Sequence, residues 1–143
     1  MSISVGSESE APAVGKPDRP LEVQLSHPVA APLSHVWDVL VSPRGSNALL
    51  GEGATLGAKG ETYHCADGST GVLRSYHPLE QLRISWHETP DSPPSIVEVD
   101  LRADGADTVL DLTQNHLTEV SDLVALSERW SAALAAVAQV AEA

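Results

Sequence analysis

Phenylalanine is missing altogether from this chain of 143 residues, and its aromatic side chains are three tryptophans and two tyrosines. So sparse an aromatic set leaves few flat surfaces for stacking bases or planar cofactors, and any pocket must be mostly aliphatic. Cysteine occurs once, as Cys65, which excludes an internal disulfide and agrees with a reducing compartment. Basic residues are scarce too: eight Lys and Arg face twenty Asp and Glu, a formal charge of −12. That field repels phosphate backbones and anionic membranes, so nucleic acid is not an expected partner. No run approaches the roughly 18 consecutive apolar residues of a membrane span. Met1 to Pro20 lacks the basic start and apolar middle of a secretory signal, and the expected setting is cytoplasmic.

Hydrophobic residues nevertheless make up 42% of the chain, enough for a real core in one domain, and the length is too short for two. Residues 1–20, rich in Ser, Glu, Pro, Gly and Ala, are expected to be a flexible tail ahead of a single domain over residues 21–143. The strongest periodic signal lies at the other end. From Ser121 to Ala143, the residues Leu123, Leu126, Trp130, Leu134, Val137 and Ala141 recur at helical steps and share one face. Thr118 or Ser121 can cap this helix, and Glu119 and Asp122 place negative charge at its positive end. Burying the stripe is worth on the order of 10 kcal/mol at most. Such a helix is not stable alone in water, so a surface to lie on must come from upstream.

The upstream chain supplies a sheet. Leu21, Val23 and Leu25 alternate with polar residues as a first strand, which Pro28 is expected to end. Pro32 then opens a short amphipathic helix through Leu33, Val36, Trp37 and Leu40, stopped by Pro43. Ser46 can cap a second, very short helix that Gly51 closes. From Gly60 the hydrophobic period switches to two. Strands are predicted at Gly60–Cys65, Thr70–His77, Gln81–Glu88, Ser95–Ala103 and Asp107–His116, with turns between them too short for parallel crossovers. The sheet is therefore an antiparallel meander with one apolar face, and Arg83, Ser85, His87, Glu98, Asp100, Arg102 and Asp111 are expected on its wet face.

Strand, two short helices, antiparallel strands and a long terminal helix is the order of the α+β helix-grip fold, in which a curved sheet of six or seven strands wraps a C-terminal helix. Within that order stand Val36-Trp37-Asp38-Val39-Leu40, Gly71 with Leu73, and Pro78, Leu82, Ile84 and Trp86 in "HPLEQLRISW". Thr108, Leu110 and Leu112 in "DTVLDLT", and Trp130 with Leu134, extend the set over roughly Leu21 to Val140. On these residues the sequence resembles the START-like or SRPBCC superfamily, and within it the branch of the activator of heat shock protein 90 ATPase. The pattern departs at two places: Leu49 and Leu50 stand where the family often has a Trp, and Gln114 where it often has a His. The resemblance implies a largely apolar cavity between sheet and last helix. Its members variously bind lipids, sterols or polyketides, catalyse cyclisations, or assist a chaperone, so fold alone does not choose among these.

The side chains expected to line that cavity are Trp37, Leu50, Tyr63, Leu73, Ser75, Leu82, Trp86, Val99, Leu112, Gln114, Trp130 and Leu134. For most of them ordinary core is the simpler reading. Tyr63, Ser75 and Gln114 are the polar members expected to point inward and orient a ligand, because an unpaired buried polar group is costly.

The histidines form no metal-ligand spacing, and His64 and Cys65 fall on opposite faces of a strand, so no metal or other cofactor is expected. No G-x-S-x-G elbow anchors a hydrolase, and Gly51 to Gly57 is turn punctuation, not a dinucleotide loop. Three readings follow. The first is a binder of a hydrophobic small molecule. The second is a cyclase or hydratase moving protons through His77, Tyr63 or Glu88, with His116 as a further strand-end candidate. The third is an interaction module that meets a partner protein through its acidic face or a sheet edge.

Overall fold

The computed structural model describes residues 21–117 and 122–143. The predicted tail over residues 1–20, the caps at Thr118 and Ser121, and Glu119 lie outside the described residues. In chain order come β1 (Val23–Val29), α1 (Leu33–Leu40), α2 (Pro43–Leu50), β2 (Thr62–His64), β3 (Thr70–His77), β4 (Gln81–Trp86), β5 (Ser95–Asp104), β6 (Asp107–Asn115) and α3 (Leu123–Glu142). The six strands form one sheet in the order β1-β6-β5-β4-β3-β2, with every neighbouring pair antiparallel. The first strand thus pairs with the last, and α1 and α2 are carried in the connection from β1 to β2.

The alternation of β4, β5 and β6 sends Leu82, Ile84, Val97, Val99, Leu110 and Leu112 to one face, all almost fully buried. Trp130, Leu134 and Val137 of α3 are buried with them in a single core cluster, and α3 also packs on α2 and β1. Ala133 and Ala138 are buried beside that stripe, so the helix beds down on a wider face than its large residues alone define. The cap of α3 is Asp122, whose carboxylate accepts from the Ala125 N–H at 3.0 Å.

Several local expectations are corrected. Pro28 does not end the first strand but pairs opposite Val109 within it. β1 is an edge strand with a ladder on one side only, where a missing N–H is tolerated. Pro43 does not simply stop α1: it occupies the first turn of α2, and Ser42, not Ser46, is the cap, its hydroxyl accepting from the Gly45 N–H at 3.1 Å. Ser46 is instead buried, with its hydroxyl 3.4 Å from the Leu40 carbonyl. Ser85, expected in water, is 4% exposed because its hydroxyl accepts the Val72 N–H at 3.0 Å across the β3–β4 ladder.

One irregularity has wider effect. The register of β3 against β4 shifts between the pairs Leu73–Ile84 and Ser75–Arg83, so one extra residue, Arg74, stands in β3 as a bulge. A one-residue slip exchanges the faces of everything beyond it. Ser75 is carried to the Arg83 side and Tyr76 to the Leu82 side. Tyr76 there lies 6.4 Å, ring to ring, from Trp37.

Candidate ligand site

Directly beneath α3 a buried polar chain ties helix to sheet. Trp130 donates its indole N–H to Gln114 Oε1 at 2.7 Å, Gln114 Nε2 donates to Ser95 Oγ at 2.8 Å, and Ser95 Oγ donates to the Trp86 carbonyl at 3.2 Å. Gln114 and Trp130 are both 0% exposed. Each heavy polar atom of the Gln114 side chain therefore has a protein partner, which is what allows an amide to sit in the core.

Trp86 and Trp130 meet edge to face with centroids 5.5 Å apart, and the Arg129 guanidinium lies 5.0 Å from one ring centroid and 5.4 Å from the other. Arg129 reaches across to two further elements: Nη1 donates to Asp67 Oδ2 at 3.1 Å in the β2–β3 turn, and Nη2 to the Leu50 carbonyl at 3.0 Å at the end of α2. Burial pushes the Asp67 carboxyl up, but bonds from the Ser69 hydroxyl and N–H and from Arg129 outweigh it and hold the group below its usual range.

Against this cluster opens a pocket of about 560 Å³. Its walls are Trp86, Ser95 and the β4–β5 connection at Glu88, Ser92 and Pro93 on one side, and Asp122, Ala125, Leu126 and Arg129 of α3 on the other. His116 and Leu117, just past β6, close a third side. His116 has φ 62°, a left-handed backbone conformation that His adopts more readily than most residues. The pocket thus lies at the N-terminal end of α3, between that helix and the β4–β5 connection. The Trp86 indole N–H is buried without a hydrogen-bond partner among the described residues.

Of the side chains expected around a cavity, Trp86 borders this pocket. Trp37, Leu50, Leu73, Leu82, Val99, Leu112, Trp130 and Leu134 belong to the buried core cluster. Gln114 is turned inward as expected, but toward Trp130 and Ser95. Tyr63 is buried, its hydroxyl donating to the Ser85 carbonyl at 2.7 Å, and burial first, then the neighbouring Cys65, raises its pKa well above the usual phenol value while Arg129 pulls it down. Ser75 is corrected: the bulge turns it to the opposite face. Among the proton-transfer candidates, Glu88 and His116 border the pocket, whereas His77 is exposed in a pair with Gln81.

Cys65 is buried, its thiol 3.4 Å from the Leu50 carbonyl, and burial raises its pKa, an inert setting for a lone thiol. Among the described residues no group of His, Cys, Asp or Glu could hold a metal ion, and no helix is long and apolar enough to cross a membrane. Arg129, Ser95, Pro93 and Leu126 are pocket residues that the sequence reading did not single out as such. Arg129 had one available signal: it immediately precedes Trp130 and follows Leu126 by three positions, an arginine at the margin of an apolar stripe.

Neither family models nor curated proteins match this sequence. Solved structures do. CalU16 from Micromonospora echinospora superposes with a TM-score of 0.70 at 23% identity, over 83% of this chain and 73% of that one. The Aha1 dimer from Colwellia psychrerythraea gives 0.71 at 14% identity, over 85% and 96%. The chain has the helix-grip fold. DynU16, from the dynemicin biosynthetic locus, shares it with a TM-score of 0.70 at 20% identity over 82% of this chain, which spans only 46% of DynU16. The resemblance to START-like proteins read from the sequence holds at the level of the helix-grip fold, with its six-stranded curved sheet, two short helices after the first strand and long terminal helix.

Proposed function

We propose that the protein binds a hydrophobic small molecule at the open end of the grip, between the β4–β5 connection and the first turns of α3. The observation that carries this reading is the pocket of about 560 Å³, which falls in the range of roughly 300–1,000 Å³ usual for small-molecule sites. Its apolar walls, Trp86, Pro93, Leu117 and Leu126, supply affinity by excluding water, and Ser95, His116 and Arg129 supply orientation. The site sits higher along α3 than the centre of the grip, whose residues are occupied with packing. Lipid-, sterol- and polyketide-like molecules are the ligand classes that the resemblance implies.

Native mass spectrometry of the purified protein, followed by organic extraction, tests this. A co-purifying hydrophobic compound is the expected result, and Ala125→Trp, which fills the pocket from an exposed helix position, should abolish it. Retention of the compound by that variant, or absence of any bound compound together with no binding of added apolar probes, overturns the reading.

A cyclase or hydratase has one specific point in its favour, the presence of both Glu88 and His116 on the wall of the same pocket. It requires that an extracted compound be converted by the wild-type protein and not by Glu88→Gln or His116→Asn.

A further inference from the structure

Resting on the small-molecule reading, we infer that the pocket selects an apolar molecule carrying a single carboxylate, with Arg129 as the residue that recognises it. Arg129 is the lone Lys or Arg among the pocket residues. Its guanidinium is fixed before any ligand arrives by Asp67, by the Leu50 carbonyl and by the faces of Trp86 and Trp130. A fork held in this way loses little freedom on binding. One N–H of each terminal nitrogen is committed to those acceptors, and the other N–H groups have no protein acceptor among the described residues. With its side chain 32% exposed, the guanidinium keeps edge surface for a planar, two-oxygen acceptor.

The rest of the pocket sharpens the choice. The first turn of α3 lines the same wall, but the Asp122 carboxylate caps it and offsets the positive end of its dipole, which leaves the guanidinium as the cationic group of that wall. Asp122 and Glu88 border the pocket as carboxylates and Asp67 already pairs with Arg129, so an anion is held here by the remaining N–H groups of the fork and not by a net positive field. A formal charge of −12 on the chain opposes multiply charged anions. A monoanionic carboxylate with an apolar body is the chemistry that these opposing fields leave favoured over a phosphate or a dinucleotide.

The test compares 1-naphthoate with 1-naphthylmethanol, which share one apolar body, by isothermal titration calorimetry on the full chain. The expected result is at least tenfold tighter binding of the acid to the wild-type protein. That preference should collapse in Arg129→Met and survive only in part in Arg129→Lys, which keeps the charge but loses the fork. The wild-type comparison decides even where a variant does not fold. Equal binding of acid and alcohol overturns the inference and leaves the pocket reading standing, whereas binding of neither compound removes both. A preference for the acid that persists in a folded Arg129→Met protein assigns it to other groups and overturns the role of Arg129.

Discussion

Trp130 and Gln114 stand 2.7 Å apart with no solvent access, and their hydrogen bond joins the long helix to the second strand from the sheet's edge. Gln114 lies opposite Val23 on one side and Val97 on the other, in the middle of apolar ladders. An amide in that position is tolerated only because Trp130 and Ser95 satisfy it. Gln114→Leu keeps the volume but strands the Trp130 indole N–H. The expected cost is about 2–3 kcal/mol of unfolding free energy, read by urea denaturation, with a change in tryptophan emission in the folded state. A variant as stable as the wild type would show that the chain of bonds contributes nothing.

Gly71 is placed against β2 and β4 so closely that a methyl group there would overlap the Ser85 carbonyl oxygen and the Tyr63 hydroxyl. Gly71→Ala should therefore destabilise the protein by about 2–3 kcal/mol or more, because both obstacles are held by their mutual hydrogen bond. Combining it with Tyr63→Phe, which removes the hydroxyl and frees the ring from the Ser85 carbonyl so that it can shift, should recover part of the loss. Additive losses in the double variant would contradict this geometry.

Leu79 turns the corner between β3 and β4 with φ 70°, a conformation costly for a branched side chain, and it is 42% exposed. Leu79→Gly relieves the strain and forfeits little burial. The expected gain is about 1 kcal/mol, visible as a higher urea midpoint with unchanged slope.

Much of this fold was legible in the residues. The period-two alternation placed the sheet's apolar face, and the helical stripe from Leu123 to Ala141 located α3 almost to the residue, because both signals come from burial itself. What escaped was set by geometry that pattern does not encode. The Arg74 bulge leaves the hydrophobic alternation intact up to Leu73 and then exchanges Ser75 with Tyr76, so spacing alone assigned the wrong partner to the inner face. Pro28 reads as a terminator unless β1 is known to be an edge strand. Gln114 was identified as inward, but its commitment to Trp130 depends on how far α3 slides along the sheet. The pocket was missed at its true position because it is built from the β4–β5 connection and the end of β6, segments without periodicity, brought to α3 only by the tertiary fold.

Asp67 links the pocket to pH. Its folded-state pKa lies below the unfolded value, so its contribution to stability is fully present above the unfolded value of about 4 and is lost as pH falls through the lower folded value. Stability should thus decline on acidification below about pH 4, and Asp67→Asn should flatten that acid limb while lowering stability at neutral pH. An unchanged acid limb in Asp67→Asn would contradict the bonds that Ser69 and Arg129 donate to this carboxylate.

The most direct measurement is a two-dimensional NMR titration that follows the indole N–H signals of the three tryptophans, Trp37, Trp86 and Trp130, as 1-naphthoate is added. Trp86 borders the pocket, Trp130 touches it through Arg129 and Trp86, and Trp37 packs against Tyr76 outside it. Saturable shifts of the Trp86 and Trp130 indoles and of the Ser92 and Leu126 amides, with Trp37 unmoved, are the expected result. Shifts centred on Trp37, or none at saturating probe, would contradict a ligand site at the head of α3.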